Sequence, residues 1–227
     1  ARHYQHYLKY ELARTPRDQR RLGRFANDMS RLRHYDVAIA AFKTAVKAPK
    51  KSQRREAFLG LTTTYLLRGD VTDAVKTTEQ YLALGTQRTR VRDLGRVVSL
   101  FKRARHWGHV ARLLEERLGY ESPSWSSPTF RQLCEAYRKT GDIEGIKRAV
   151  KLLMRRSRNV TRMTVEASKQ LHLSGLLEEA HQLLGKALSK RPRDATLLRQ
   201  MVQNAILKKD PQTALNYAAR FVSRSRR

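Results

Sequence analysis

The chain has 227 residues with 48 Lys and Arg against 20 Asp and Glu, a formal charge of +28 that repels itself until a polyanion neutralises it, so nucleic acid is the partner to expect. An apolar content of 40% suffices for a buried core, and 11 Gly, 6 Pro and 7% aromatics favour helices. One cysteine excludes an internal disulfide framework and a multi-cysteine zinc site, and no apolar run approaches the ~20 residues that span a bilayer.

The chain begins at Ala1 rather than Met, which either a cleaved targeting segment or a shortened chain would explain. Residues 1–16, ARHYQHYLKYELARTP, carry Tyr4, Tyr7 and Tyr10 with His3 and His6. Offsets of 3 and 4 predict a short helix there, which either covers the helix that begins near residue 19 or meets RNA or protein.

A period takes over from residue 19. YLLRGDVTDA at 65–74 returns as YRKTGDIEGI at 137–146. Half that spacing, 36, steps through the anchors Ala38, Ala74, Val110 and Ile146, and steps of 34 then reach Ala180 and Ala214. Sixteen residues before the anchors stand Leu22, Phe58, Leu94, Phe130, Thr164 and Leu198. Thirteen before are Phe25, Leu61, Val97, Leu133, Ala167 and Met201, and nine before are Met29, Tyr65, Phe101, Tyr137, Leu171 and Ala205. Thr164 is the one polar residue among them. These offsets share one helical face, so each unit opens with an amphipathic helix.

A second helix is predicted from the residues three before each anchor (Tyr35, Val71, Trp107, Ile143, Leu177, Pro211) and four after (Phe42, Thr78, Leu114, Val150, Leu184, Ala218). Between the two helices, Gly69-Asp70, Gly141-Asp142, Ser174-Gly175 and Lys209-Asp210 supply the left-handed residue and cap of a tight turn. No such unit buries its apolar face alone, so the units must stack. The expectation is an all-α protein: an α-solenoid of about six helix-turn-helix repeats of 34–36 residues over 19–222, after an N-terminal extension, 1–18. An insertion at 119–128, GYESPSWSSP, and a basic tail at 223–227 complete it.

Residues 180–195, AHQLLGKALSKRPRDA, resemble the end of a tetratricopeptide (TPR) repeat, with Ala180, Leu184, Ala187 and Pro192 at that family's spacing. Residues 129–161, TFRQLCEAYRKTGDIEGIKRAVKLLMRRSRNVT, resemble a pentatricopeptide (PPR) repeat. The resemblance implies a right-handed solenoid with first helices on its concave face, without a cofactor or metal, that binds peptide, protein or RNA. It is also similar to the RNA-associated scaffold subunits of mitochondrial ribosomes, which implies a mitochondrial matrix location, rRNA and neighbouring ribonucleoprotein subunits as partners, and neither a membrane nor a small-molecule substrate.

Charge follows the repeat. Where a second helix hands over to the next first helix, the joints read KAPKKSQRR (47–55), TQRTRVR (86–92), RRSRNVTR (155–162) and KALSKRPR (186–193), and the chain ends SRSRR. The turns inside repeats gather acids instead: Asp36, Asp70, Asp73, Asp142, Glu144, Glu178, Glu179 and Asp210. Alternating helices put all joints on one edge, so a basic stripe of phosphate-binding residues is expected there: Lys50, Lys51, Arg54, Arg55, Arg88, Arg90, Arg92, Arg155, Arg156, Arg158, Arg162, Arg191, Arg193, Arg226 and Arg227. From the first helices Arg20, Arg24, Arg96, Arg131 and Arg138 join them, making the groove positive too. Guanidinium forks onto phosphate oxygens and stacks on bases, which suits RNA.

Other residues have plainer roles. Cys134 stands where other repeats have small residues and is expected at a helix contact. Trp107 is expected in the core, and His106 and His109 in a solvated turn. Trp125 has no place in the repeat and is either a protein contact or locally packed. Paired carboxylates, a nucleophile-base pair and a glycine-rich phosphate loop are absent as local motifs, so no catalysis is expected. Gln132 and Asn159 are imperfect candidates for base reading, which favours backbone and shape recognition of folded RNA. The competing reading is a peptide adaptor: in the TPR proteins that grip a C-terminal carboxylate, the gripping positions match Gly23, Asn27, Gly60, Arg92 and Arg96 here.

Overall fold

The computed structural model describes residues 19–122, 127–156 and 159–225. These residues form twelve α-helices and a 3-10 turn, with no strand among them. The chain divides into two compact units, the first ending at His106 and the second beginning at Trp107. The first unit holds α1 (Gln19–Arg31), α2 (Tyr35–Ala45), α3 (Lys51–Arg68), α4 (Val71–Ala83) and α5 (Arg90–Arg103). The second holds α6 (Trp107–Tyr120), α7 (Ser127–Thr140), α8 (Ile143–Arg156), α9 (Val160–Leu173), α10 (Leu177–Lys190), α11 (Ala195–Leu207) and α12 (Pro211–Ser225). Odd-numbered helices are the first helices of the repeats and even-numbered ones the second.

The apolar register explains the stacking. Leu22, Leu94, Phe130 and Leu198 are buried at one register position, and so are Leu61, Val97, Leu133, Ala167 and Met201 at the next. Met29, Tyr65, Phe101, Tyr137, Leu171 and Ala205 are buried at the third. Each large side chain withdrawn from water contributes roughly 1.5–3 kcal/mol, more than any local helix propensity. Thr164, the polar exception, is fully buried, and its hydroxyl has no hydrogen-bond partner. Within each unit the first helices also meet one another: α1 on α3 and α3 on α5 in one, α7 on α9 and α9 on α11 in the other.

The position three before each anchor departs from expectation. Trp107, Tyr35, Val71 and Leu177 are half-buried and Ile143 is 40% exposed. In every repeat that residue opens the second helix, so it sits at the rim of the hairpin rather than in its core.

The inner turns repeat to the residue. Arg33, Gly69, Arg105, Gly141, Gly175 and Lys209 all have positive φ, between 58° and 97°. The amide of the next residue donates to the carbonyl of the buried register residue five back: His34 to Met29, Asp70 to Tyr65, His106 to Phe101, Asp142 to Tyr137, Leu176 to Leu171 and Asp210 to Ala205, at 2.9–3.0 Å. This bond closes the first helix onto its own core residue and reverses the chain.

Candidate functional site

The inner-turn acids are engaged, Asp36, Glu178 and Glu179 across repeats and the others within their own. Arg68 of α3 binds Asp36 of α2 at 2.5 Å and also Asp70 of its own turn. In the second unit Lys147 bridges Glu144 and Glu179 at 3.1 Å each, Lys208 meets Glu178 at 2.5 Å, and Arg148 meets Asp142 at 3.2 Å. Lys208 chiefly holds Glu178 below the usual carboxylate range, and a bond from its own backbone amide, then Lys147, does the same for Glu179. Exposed pairs of this kind contribute little stability; they offset cations at these turns, whereas the α5–α6 turn carries Lys102, Arg103 and Arg105 and no acid.

The joint edges differ. In the first unit Lys47, Lys50, Lys51 and Arg88 are exposed, and none forms an ion pair with an acid among the described residues. In the second, Arg155, Arg162, Lys186, Lys190 and Arg193 are likewise exposed and unpaired with acids among those residues. Arg191, also exposed, donates to the Thr161 hydroxyl at 2.9 Å. Arg92 lies 4.0 Å from Asp93 and remains 68% exposed.

Three expected phosphate-binding residues lie differently. Arg55 is held inside the fold: its guanidinium meets Asp93 at 2.6 Å, donates to the Tyr81 hydroxyl at 3.1 Å and the Leu84 carbonyl at 3.2 Å, and is 16% exposed. Asp93 also accepts from Thr89 at 2.7 Å and Tyr81 at 3.1 Å. Burial pushes the Asp93 carboxyl upward, and the bonds from Arg55, Thr89 and Tyr81 more than reverse this, leaving it below its ordinary value. Arg90 is half-buried and donates to the Leu82 carbonyl at 3.1 Å. Arg54 is half-buried, and its Nε has no hydrogen-bond partner. Counting cations missed this clamp, yet a signal existed, since Asp93 precedes Val97 and Phe101 by 4 and 8 and therefore shares their apolar face.

The first helices line a groove in each unit. In the first, a cavity of about 790 Å³ is bounded by Gly23, Arg24 and Asn27 of α1, by α3 from Ser52 to Thr63, and by Arg96, Ser99 and Arg103 of α5. Four of the five carboxylate-grip positions, Gly23, Asn27, Gly60 and Arg96, meet here, whereas Arg92 does not line it. Gly60 has a packing reason, because a Cβ there would stand 2.3 Å from the Phe42 ring. Gly23 has open space around it. Arg96 lies 3.8 Å from Glu56.

In the second unit a cavity of about 540 Å³ between α9 and α11 is lined by Arg162, Lys169 and Arg191, with Glu166 and Asp194. A smaller one, about 410 Å³, lies between α7 and α9 and contains Arg131, Gln132 and Arg138. Arg138 donates to Gln170 at 3.1 Å, and Arg131 is 3.8 Å from Glu166. Gln132 and Asn159 line different cavities, and Asn159 caps α9 by accepting from the Arg162 amide at 3.0 Å. The two are not brought together as a base-reading pair.

Cys134 is fully buried at a helix contact, and burial pushes its thiol up to about 12. Among the described residues no group of three His, Cys, Asp or Glu is placed to hold a metal, and no helix is long and apolar enough to cross a membrane. Trp125, Arg158, Arg226, Arg227 and the extension with Tyr4, Tyr7 and Tyr10 lie outside the described residues, as do the side chains of Arg20 and Arg156.

The chain is thus an all-α protein of TPR-like helical hairpins. No protein-family model and no curated protein matches it. Solved structures similar to it include PilF of Pseudomonas aeruginosa, at 15% identity over 88% of each chain with a TM-score of 0.40. YrrB, a TPR protein with an unusual peptide-binding site, is 14% identical over 85% of this chain and 96% of its own, with a TM-score of 0.42. TTC0263, a thermophilic TPR protein of Thermus thermophilus, is 19% identical over 83% of this chain and 98% of its own, with a TM-score of 0.36. Likeness at these scores carries no argument, and the repeat architecture rests on the chain's own register.

Proposed function

We propose that the chain is a non-catalytic RNA-binding scaffold that holds phosphates along the joint edges of its repeats. One observation carries the reading: the inner-turn acids Asp36, Glu178 and Glu179 are ion-paired, while at the joints Lys50, Lys51, Arg88, Arg155, Lys190 and Arg193 stand exposed without an acidic partner among the described residues. Like charges so gathered destabilise the protein alone and are stabilised by a phosphate chain. The finer assignment is a structural subunit of a mitochondrial ribosome or RNA-processing complex in the matrix, with rRNA and neighbouring subunits as partners; it accompanies the family resemblance. Recognition is of backbone and shape, since the two candidate base readers lie apart.

The groove of the first unit favours a second reading, a peptide adaptor, because Asn27, Arg24, Arg96 and Arg103 converge there. Fluorescence polarisation of the whole chain with a structured RNA and with an acidic C-terminal peptide of equal charge separates the two. The scaffold reading expects tighter RNA binding that survives Asn27→Ala and Arg96→Ala. Tighter peptide binding that those two replacements abolish would favour the adaptor.

A further inference from the structure

A buried amide ties the α9–α10 hairpin to α11. Asn204 of α11 is fully buried, and its side chain meets three groups. Its Nδ2 lies 3.0 Å from the Leu177 carbonyl oxygen and 3.0 Å from His172 Nε2, while its Oδ1 lies 3.3 Å from His181 Nδ1. A carbonyl oxygen only accepts, so the Leu177 carbonyl fixes which end of the amide is Nδ2. Both protons of that nitrogen are then committed, and the tautomers follow. His172 accepts at a bare Nε2 and so carries its proton on Nδ1, whereas His181 donates from Nδ1. The two rings therefore answer acid differently. His181, near the carboxylates of Glu178 and Asp210, keeps its donated bond when its other nitrogen takes a proton. The nitrogen of His172 that takes a proton is Nε2 itself, and there the proton confronts the Asn204 Nδ2 donor.

We infer that His172 and Asn204 form a proton-operated latch: a proton on His172 Nε2 frees the inner-turn end of α11 from the α9–α10 hairpin, while the joint end stays closed. The charges on the neighbouring helices are engaged elsewhere or exposed. From α7, Arg138 donates to Gln170 and Lys139 is exposed. From α8, Lys147 binds Glu144 and Glu179, and Arg148 binds Asp142. From α10, Glu178 binds Lys208 of α11, an exposed pair that by itself holds the two helices weakly. On α9 itself Glu166 accepts from Gln170, and Lys169 is exposed. Burial alone acts on His172, pushing its imidazole below the ordinary 6.5. At the joint end Thr161 donates to Asp194 at 2.8 Å, and Asp194 caps α11 through the Thr196 and Leu197 amides. Burial raises the Asp194 carboxyl, but those bonds more than reverse this, so it stays ionised where His172 titrates. The docked imidazole lies below the freed one, so the latch is fully closed above about pH 6.5 and weakens as pH falls through that value toward the docked one. The inference is independent of RNA binding.

Amide hydrogen exchange of the whole chain at about pH 7.5 and about pH 5.5, corrected for the intrinsic pH dependence of exchange, tests it. Opening of α11 should become several-fold more frequent at the lower pH, up to about tenfold, while α7 serves as the unchanged reference. His172→Gln, whose Oε1 accepts from Asn204 without titrating, should abolish the increase, and His181→Gln should keep it. Through-bond nitrogen spectra at about pH 7.5 should show His172 protonated on Nδ1 and bare at Nε2. An equal increase in His172→Gln, no increase in the wild type, or a His172 ring protonated on Nε2 overturns the inference. Should His172→Gln fail to fold, the wild-type tautomer and its exchange decide alone.

Discussion

Asp93 shows how one side chain can be read from charge alone and misread. It sits in the run RTRVRD, yet it is 1% exposed and holds Arg55, Thr89 and Tyr81 at the joint between α4 and α5. Removing either member of a buried pair strands the other charge. Arg55→Met or Asp93→Leu alone should therefore cost about 3–5 kcal/mol in urea unfolding, and the double replacement much less. Additive single costs would show that the pair acts through packing instead. The pH dependence follows from the direction of the Asp93 shift. Its folded value lies below its unfolded one of about 4, so the pair's stabilisation is complete above that pH and is lost as pH falls through the folded value. Acid unfolding between about pH 5 and pH 2 should be steeper in the wild type than in the double variant.

At the scale of the helix, the inner turn is the unit that repeats most faithfully. Three of its six left-handed positions are glycine, and the others are Arg33, Arg105 and Lys209. A side chain in that conformation costs about 1–2 kcal/mol, offset in part by the entropy glycine loses on folding. Arg105→Gly and Lys209→Gly should each raise stability by roughly 0.5–1 kcal/mol, and Gly141→Ala should lower it by about 1 kcal/mol, in denaturant unfolding. Because a Cβ at Gly141 meets nothing within 4 Å, a large loss there would have to come from the backbone. The hairpins were legible in the sequence because burial of one face enforces the 36- and 34-residue spacing at three positions of every first helix. Arg33 and Arg105 were not legible as turn residues, since an arginine gives no sign of positive φ; the six-fold register gives it once one member is known. The rim position of Trp107 was missed for a related reason: apolar identity marks a face, but not whether the helix has only just begun there.

Across the sequence as a whole, the grouping of acids in inner turns was legible, because helix direction alternates with the repeat, although Asp93 and Asp194 fall at joints and the α5–α6 turn holds no acid. Which cations remain available was not. Arg55 and Arg90 are as basic in sequence as Arg88 and Arg193, and only three-dimensional packing engages the first two with Asp93 and the Leu82 carbonyl. The salt dependence of RNA affinity tests the central claim most directly, measured for the wild type and for two variants. One replaces Lys50, Lys51, Arg88 and Arg193 with glutamine, and the other makes the same change at the inner-turn cations Arg68, Lys147 and Lys208. The account predicts that the first variant flattens the log-log slope by about 0.7 for each phosphate it no longer neutralises, while the second leaves it unchanged. A wild-type affinity indifferent to salt, or equal flattening by both variants, would contradict it.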